Sequence, residues 1–143
     1  MKDFLGRCHC GKIEVSFTTE CNPIDIKPRV CDCTFCVKHA AAYVSDPDGR
    51  LVVKALSGGF PGRYRQGTET AEFLFCRYCG ALVGVVADVD GQLVAAVNAR
   101  CLDDWDSFAE GVTVSPQLLD KVEKMDRWKA VWVKDVRIME SGT

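Results

Sequence analysis

The sequence has no long apolar run and no excess of basic residues. No stretch approaches the roughly 20 apolar residues that a membrane-spanning helix needs, and residues 1–8 lack the apolar segment of a secretory signal peptide. The formal net charge is -2, so the overall charge offers no attraction for a nucleic-acid backbone or an anionic membrane surface. We therefore expect a cytoplasmic protein whose partners include neither nucleic acid nor membrane.

Linkers, low-complexity tracts and internal repeats are also absent. No Pro-, Gly- or Ser-rich stretch marks a domain boundary, and no segment recurs at the period of a repeat protein. The 143 residues are enough for one ordinary domain, and a content of 48% apolar and 27% charged residues is typical of a globular one. The sequence predicts a single domain over residues 1–143 and leaves its oligomeric state open.

Cysteine, in contrast, is abundant, with nine residues. Disulfides are rare in a reducing compartment, and an odd number of cysteines cannot all pair within one chain. Metal binding explains the excess better, because seven of the nine lie in three closely spaced groups: Cys8 and Cys10; Cys31, Cys33 and Cys36; Cys76 and Cys79. The two isolated cysteines, Cys21 and Cys101, have no partner at ligand spacing, and we interpret both as structural.

Short segments of β-type composition recur along the chain, which predicts an all-β fold. In the first of them Ile13, Val15 and Phe17 alternate with polar residues, as in a strand with one buried face. The predicted strands span residues 12–17, 41–45, 51–55, 72–75, 81–87 and 92–98.

Turn-forming residues at 46–49, 57–59 and 90–91 separate these segments and favour antiparallel hairpins. The strongest helix signal begins at Ser115, a predicted N-cap, with Pro116 in the first turn. Apolar residues near helical spacing follow between residues 118 and 125. The predicted domain therefore contains at most one or two short helices.

The first predicted metal site combines two cysteine pairs. Cys8 and Cys10, two residues apart, project from the same face of an extended segment, and Cys76 and Cys79 precede Gly80 in a zinc-knuckle pattern. Two pairs supply the four ligands that structural zinc prefers. Buried reduced thiols are the alternative, but they require no such spacing.

The second predicted metal site contains Cys31, Cys33 and Cys36. Three thiolates leave one position open for water or substrate, as in catalytic zinc sites, and a substrate thiol suits that position. His39 follows Cys36 by three residues and is the alternative fourth ligand, which would close the site. We therefore predict two zinc ions per chain, one structural and one catalytic or exchangeable.

Taken in chain order, these motifs resemble the glutathione-dependent formaldehyde-activating enzyme family, which is related to centromere protein V. The resemblance covers most of the chain and implies a zinc-stabilised β-tent of small antiparallel sheets, with a structural zinc in four cysteines and a second zinc in the CxCxxC loop. It is carried by CHCG at 8–11, CDCTFC at 31–36, FCRYCG at 75–80 and VNARCL at 97–102.

The activity implied by the resemblance is the condensation of formaldehyde with glutathione, which is classed with the carbon-sulfur lyases. Cys31, Cys33 and Cys36 would then hold the catalytic zinc, and the partner would be glutathione or its adduct. Many relatives carry His where this chain has Asp32, so the electrophile stays open. The competing hypotheses are a non-catalytic zinc module for partner binding and a redox or metal-buffering thiol loop.

Glutathione also needs cations for its carboxylates. Five basic residues lie close to the motifs, and three tryptophans could line a pocket or belong to the core. We assign none of them to a site at this stage. The basic residues are Lys38, Arg63, Arg65, Arg77 and Arg100, and the tryptophans are Trp105, Trp128 and Trp132.

Overall fold

The computed structural model describes residues 1–56, 61–66 and 68–140, and within them eleven strands and two α-helices form. The all-β prediction with at most two short helices is therefore confirmed. No described helix is both long and apolar enough to cross a membrane. The strands are β1 (Lys2–Arg7), β2 (Ile13–Thr19), β3 (Arg29–Cys31), β4 (Ala42–Val44), β5 (Arg50–Ala55), β6 (Pro61–Tyr64), β7 (Ala71–Cys76), β8 (Leu82–Val89), β9 (Gln92–Asn98), β10 (Val112–Val114) and β11 (Asp135–Glu140); the helices are α1 (Thr34–Lys38) and α2 (Lys121–Val131).

The described strands form a four-stranded sheet, in the order β1-β2-β5-β11, and a seven-stranded sheet, in the order β10-β3-β4-β9-β8-β7-β6. Most neighbouring strands are antiparallel, as predicted, but β11 runs parallel to β5 and β10 runs parallel to β3. Both parallel strands lie at sheet edges and follow residue 98. Parallel pairing needs a long connection, so no local turn signal predicts it.

The two described turns behave differently. The turn at Asp90 and Gly91, both at positive φ, joins β8 to β9 as a tight hairpin, which confirms that prediction. The turn at 46–49 instead connects β4 of the large sheet to β5 of the small one, so the predicted hairpin is wrong there. The hydroxyl of Thr19, at the end of β2, donates a buried hydrogen bond of 2.6 Å to Oδ2 of Asp46 in this turn. The third predicted turn, at 57–59, lies outside the described residues.

The predicted helix begins later than expected. Pro116–Leu118 form a single 3-10 turn, and the Ser115 side chain makes no capping hydrogen bond. Helix α2 is capped by Asp120, whose carboxylate accepts from the backbone N–H of Glu123 at 2.8 Å while the Glu123 carboxylate accepts from the N–H of Asp120 at 3.1 Å. This reciprocal capping box outcompetes the weaker Ser-Pro signal.

The core divides into two apolar clusters, and each contains one group of cysteines. The first packs the four-stranded sheet against the large sheet and includes Cys8 and Cys76. The second lies on the large sheet beneath α2 and includes Cys31 and Cys36. Each candidate metal site therefore packs against a different part of the core.

Gly6 marks a place where two backbones touch. A Cβ atom on Gly6 would lie 1.8 Å from the carbonyl oxygen of Cys101, and Gly6 bridges Leu102. We expect Gly6→Ala to lower the free energy of unfolding by about 1–3 kcal/mol, because the two backbones must move apart. Urea unfolding measures the loss. The control Leu5→Ala, at a side chain that is 58% exposed, should change stability by about 0.5 kcal/mol or less, and equal stability of the two variants would contradict the prediction.

Candidate metal centres and the adjoining cleft

Four cysteine sulfurs converge between the two sheets. The Sγ atoms of Cys8, Cys10, Cys76 and Cys79 all lie within 4.8 Å of one another, with 3.7 Å between Cys8 and Cys10 and 3.6 Å between Cys10 and Cys76. In a regular tetrahedron with Zn–S bonds of about 2.3 Å, neighbouring sulfurs are about 3.8 Å apart. The cluster therefore fits a zinc ion.

Two tight turns present these sulfurs. Cys8 and Cys10 lie in the β1–β2 turn, where the expected extended segment is replaced by a turn closed by a 3.1 Å hydrogen bond from Gly11 N–H to the Cys8 carbonyl. Cys76 ends β7, and Gly80, at a φ of 78°, lets its own N–H reach the Cys76 carbonyl at 2.9 Å. The turns belong to different sheets, so the cluster joins the two sheets.

Backbone N–H groups point at the sulfurs of this cluster. The N–H of Ile13 donates to Cys8 Sγ at 3.3 Å, and the N–H of Tyr78 donates to Cys76 Sγ at 3.4 Å. Burial raises the pKa of Cys8 to about 12. At Cys79 burial acts in the same direction, but hydrogen bonds, chiefly from backbone N–H groups, outweigh it and lower the pKa to about 6. The cluster thus holds a thiolate at neutral pH, the form that binds metal.

The second cluster is built around the start of α1. Cys31 ends β3, Cys33 is the N-cap of α1, and Cys36 lies within that helix, with all three Sγ atoms inside 4.8 Å. The Cys33 sulfur accepts a hydrogen bond of 3.4 Å from the Cys36 N–H. Cys31 and Cys36 are buried and Cys33 is half-buried. The three sulfurs could hold a zinc ion that still has one side free.

His39 does not join this second cluster. It is exposed at the C-terminal end of α1, and its ring lies 4.6 Å from that of Phe35. In the described part of the chain, no His, Asp or Glu has a ligand atom grouped with the three sulfurs. Asp32 is exposed and accepts a 2.6 Å hydrogen bond from the Ser115 hydroxyl, which holds the pKa of its carboxyl below its usual value.

Two polar side chains that the sequence analysis did not identify contact the second cluster. The Tyr43 hydroxyl lies 3.2 Å from Cys36 Sγ, and Gln66 Nε2 donates to Cys33 Sγ at 3.8 Å. A hydrogen bond from the Cys36 thiol lowers the pKa of Cys31 to about 6, while the same contact and burial raise the pKa of Cys36. Burial also raises the pKa of Tyr43, so its hydroxyl stays protonated.

The second cluster opens into a cleft of about 780 Å³, measured with its open mouth. The cleft lies between the large sheet and α2. Its walls combine basic, neutral polar and apolar side chains beside the three cysteines: Arg29, Lys124 and Arg127; Tyr43, Gln66, Thr68, Thr70 and Gln117; Ala71, Phe73, Val85, Val114, Pro116, Trp128 and Trp132.

Basic side chains line this cleft, and carboxylates do not, among the described residues. Arg29, Lys124 and Arg127 line it, and none of its described lining residues is Asp or Glu. Arg29 donates a 2.6 Å hydrogen bond to the Ser45 hydroxyl and forms no salt bridge within the described residues. Burial, with a smaller contribution from Arg127, lowers the pKa of Arg29 to about 10, which leaves it charged at neutral pH.

None of the five basic residues near the motifs lines the cleft. Arg63 and Arg65 pair with Glu72, and Arg100 lies over the Trp105 ring at 4.5 Å. Lys38 and Arg77 are exposed. The cleft cations come instead from β3 and α2, and no spacing in the sequence connects those segments.

The three tryptophans and the two isolated cysteines lie in different surroundings. Trp128 and Trp132 stack at 4.6 Å and line the cleft, whereas Trp105 is 45% exposed elsewhere. Cys21 is exposed, and the Cys101 thiol donates to the Leu82 carbonyl at 3.1 Å. Neither of these cysteines joins a group of ligands in the described structure.

Gly80 allows a direct test of the four-cysteine cluster. Gly80 and Gly91 both have positive φ, and a Cβ atom on either meets nothing within 4 Å. Alanine should therefore strain both turns by about 1 kcal/mol. We expect only Gly80→Ala to release zinc faster, by about tenfold, to a chromogenic chelator. The reason is that only the turn at Gly80 positions two cysteine sulfurs in the cluster. Equal release from Gly91→Ala, the matched control, would contradict this.

Comparison with known proteins gives a similar solved structure but no curated sequence. No curated protein sequence gives a significant match to this chain. The crystal structure of a Rhodobacter sphaeroides protein, a structural genomics target, is similar with a TM-score of 0.54 and 26% sequence identity, over 74% of this chain and 98% of that one.

The family model for the glutathione-dependent formaldehyde-activating enzyme matches residues 3–118. This range contains both cysteine clusters and stops before α2. The chain therefore belongs to the glutathione-dependent formaldehyde-activating enzyme family.

Proposed function

We propose that this protein is a zinc-dependent carbon-sulfur lyase that forms and cleaves a glutathione adduct of formaldehyde or of a related small electrophile. The observation that carries the proposal is the second cysteine cluster, with three sulfurs at the edge of an open cleft whose described lining includes three basic side chains and no carboxylate. Membership of the family supports glutathione as the thiol.

The two clusters would have different roles. Cys8, Cys10, Cys76 and Cys79 supply a complete tetrahedral set of ligands and would hold a structural zinc. Cys31, Cys33 and Cys36 would hold a second ion, which as a Lewis acid supplies the means to keep a substrate thiol ionised near neutral pH. We infer two ions per chain, one for each cluster.

The cations of the cleft would bind the tripeptide. Glutathione carries two carboxylates, and a carboxylate that leaves water needs a fixed positive partner. Arg29 lies two residues before Cys31 on β3, and Lys124 and Arg127 face the same cleft from α2. Charges at these positions would orient the thiol toward the three sulfurs, and orientation contributes much of the rate in such an addition.

Tyr43 and Gln66 would support the cysteine ligands. A cysteine that binds zinc is a thiolate and has no proton to donate, so the Tyr43 hydroxyl must be the donor in its 3.2 Å contact with Cys36 Sγ. Hydrogen bonds to ligand sulfur disperse its negative charge and hold the side chain in place. The non-catalytic module is supported less well, because the His39 ring lies against Phe35 rather than with the sulfurs.

Zinc content separates the roles of the two clusters. We expect two zinc ions per chain in the wild type and in the control Cys21→Ser. Cys36→Ser should retain one ion, a near-native melting temperature and no turnover, whereas Cys76→Ser should lose the other ion together with much of its stability. Elemental analysis, thermal unfolding and a glutathione-formaldehyde assay make the test. Two retained ions and full turnover in Cys36→Ser would rule out the catalytic assignment.

The contribution of the cleft cations can be measured on a single helix. Arg127 lines the cleft, while Lys129, two residues later, pairs with Asp90 and does not line it. We expect Arg127→Gln to weaken glutathione binding by about five- to tenfold, because a charge-assisted hydrogen bond is lost. Calorimetric titration should show a change of less than about twofold for Lys129→Gln. Equal losses of glutathione affinity in both variants would indicate a general electrostatic attraction and not a specific binding site.

A further inference from the structure

We propose that the cleft selects a glutathione adduct whose sulfur carries an aromatic or branched apolar group, in preference to the adduct of formaldehyde. The inference deepens the proposed function and depends on it for the identity of the tripeptide. It concerns the apolar wall, which we define as Phe73, Val85, Trp128 and Trp132.

The apolar wall is packed together with the working sulfurs. Its four side chains belong to the same buried cluster as Cys31 and Cys36, and all four also line the cleft. Each is less than one-tenth exposed. A group attached to a thiol that is held at the three cysteines would therefore lie close to aromatic and aliphatic carbon.

The formaldehyde adduct is too small to make extensive contact with the apolar wall. Its adduct adds only one carbon and one oxygen to the sulfur, and neither can cover four large side chains. The rings of Trp128 and Trp132 stack with centroids 4.6 Å apart, and their exposed edges line the cleft together with those of Phe73 and Val85. Burial of an apolar group against this surface removes carbon from water and strengthens binding.

The tryptophans of this wall come from outside the part of the chain that matches the family. The family match ends at residue 118, whereas Trp128 lies on α2 and Trp132 is its C-cap. The capping box at Asp120 fixes the start of α2, and the Trp132 N–H donates to the Trp128 carbonyl at 2.9 Å. The two tryptophans are thus an ordered part of the wall that lies beyond the family match, whereas Phe73 and Val85 lie within it.

The selected reaction balances without an oxidant or a reductant. The thiol sulfur adds to the carbonyl carbon of an apolar aldehyde, and a carbon-sulfur bond forms. The π electron pair of the carbonyl moves to its oxygen, which takes up the proton that the thiol has lost. The product is a hemithioacetal, and the reverse reaction returns glutathione and the aldehyde. The group on the aldehyde carbon is the part that contacts the apolar wall.

Two stable thioethers test the apolar wall without turnover. S-methylglutathione and S-benzylglutathione share the tripeptide and lack a free thiol, so the difference in their affinities reports the group on sulfur. We expect zinc-loaded protein to bind S-benzylglutathione at least about tenfold more tightly in calorimetric titrations, with a change in tryptophan fluorescence that S-methylglutathione does not produce. A wild-type affinity ratio below about threefold overturns the proposal.

Single substitutions test whether the affinity ratio of the two thioethers depends on the apolar wall. Trp128→Leu should reduce the affinity ratio to below about threefold, whereas Trp105→Leu, at an exposed tryptophan outside the cleft, should leave it unchanged. An unchanged ratio in Trp128→Leu counts against the wall. Zinc content and melting temperature check folding, and Phe73→Leu replaces Trp128→Leu if the latter does not fold.

Glutathione itself is titrated in parallel to separate the two proposals. If glutathione binds and the two thioethers bind equally, the apolar wall is refuted while the proposed function stands. If glutathione fails to bind and S-benzylglutathione also fails, both are refuted. Binding of S-benzylglutathione alone supports the apolar wall and counts against glutathione as the substrate thiol.

Discussion

Four sulfur atoms from two separate turns meet at one point, and that point joins the small sheet to the large one. Cys8 and Cys10 come from the β1–β2 turn of the small sheet, and Cys76 and Cys79 come from the β7–β8 turn of the large one. Because scattered thiols in an unfolded chain cannot hold a cation, the free energy of binding a metal ion at this point would become free energy of folding. A bound ion would thereby hold the large sheet, which supports the cleft, against the small one.

The second cluster offers the same ligand chemistry in a different setting. Three sulfurs at the start of α1 lie at the edge of an open cleft, and α2 lines that cleft with basic and aromatic residues. The two clusters therefore differ in the number of ligands and in what lies beside them, rather than in ligand type. A saturated cluster can only stabilise, whereas an unsaturated one beside a cationic cleft can also bind a thiol that carries carboxylates.

Local features of the fold could be predicted because their causes are local. The alternation through Ile13, Val15 and Phe17, and the two positive-φ residues at Asp90 and Gly91, act within a few residues and appear in the structure as expected. The parallel edge strands β10 and β11, and the passage from one sheet to the other at 46–49, depend on contacts between distant segments. Turn composition carries no information about such contacts.

The sequence by itself determined which neighbouring sulfurs can reach one point, since ligands two or three residues apart lie close together whatever surrounds them. That Cys8 and Cys10 meet Cys76 and Cys79 depends on the packing of the two sheets. Only the tertiary structure decided what faces the second cluster. Arg29 and Arg127 are far apart along the chain, as are Tyr43 and Trp128, and each pair meets in one cleft because α2 packs on the large sheet. Long-range packing of apolar surface brings such residues together, and it leaves no regular spacing in the sequence.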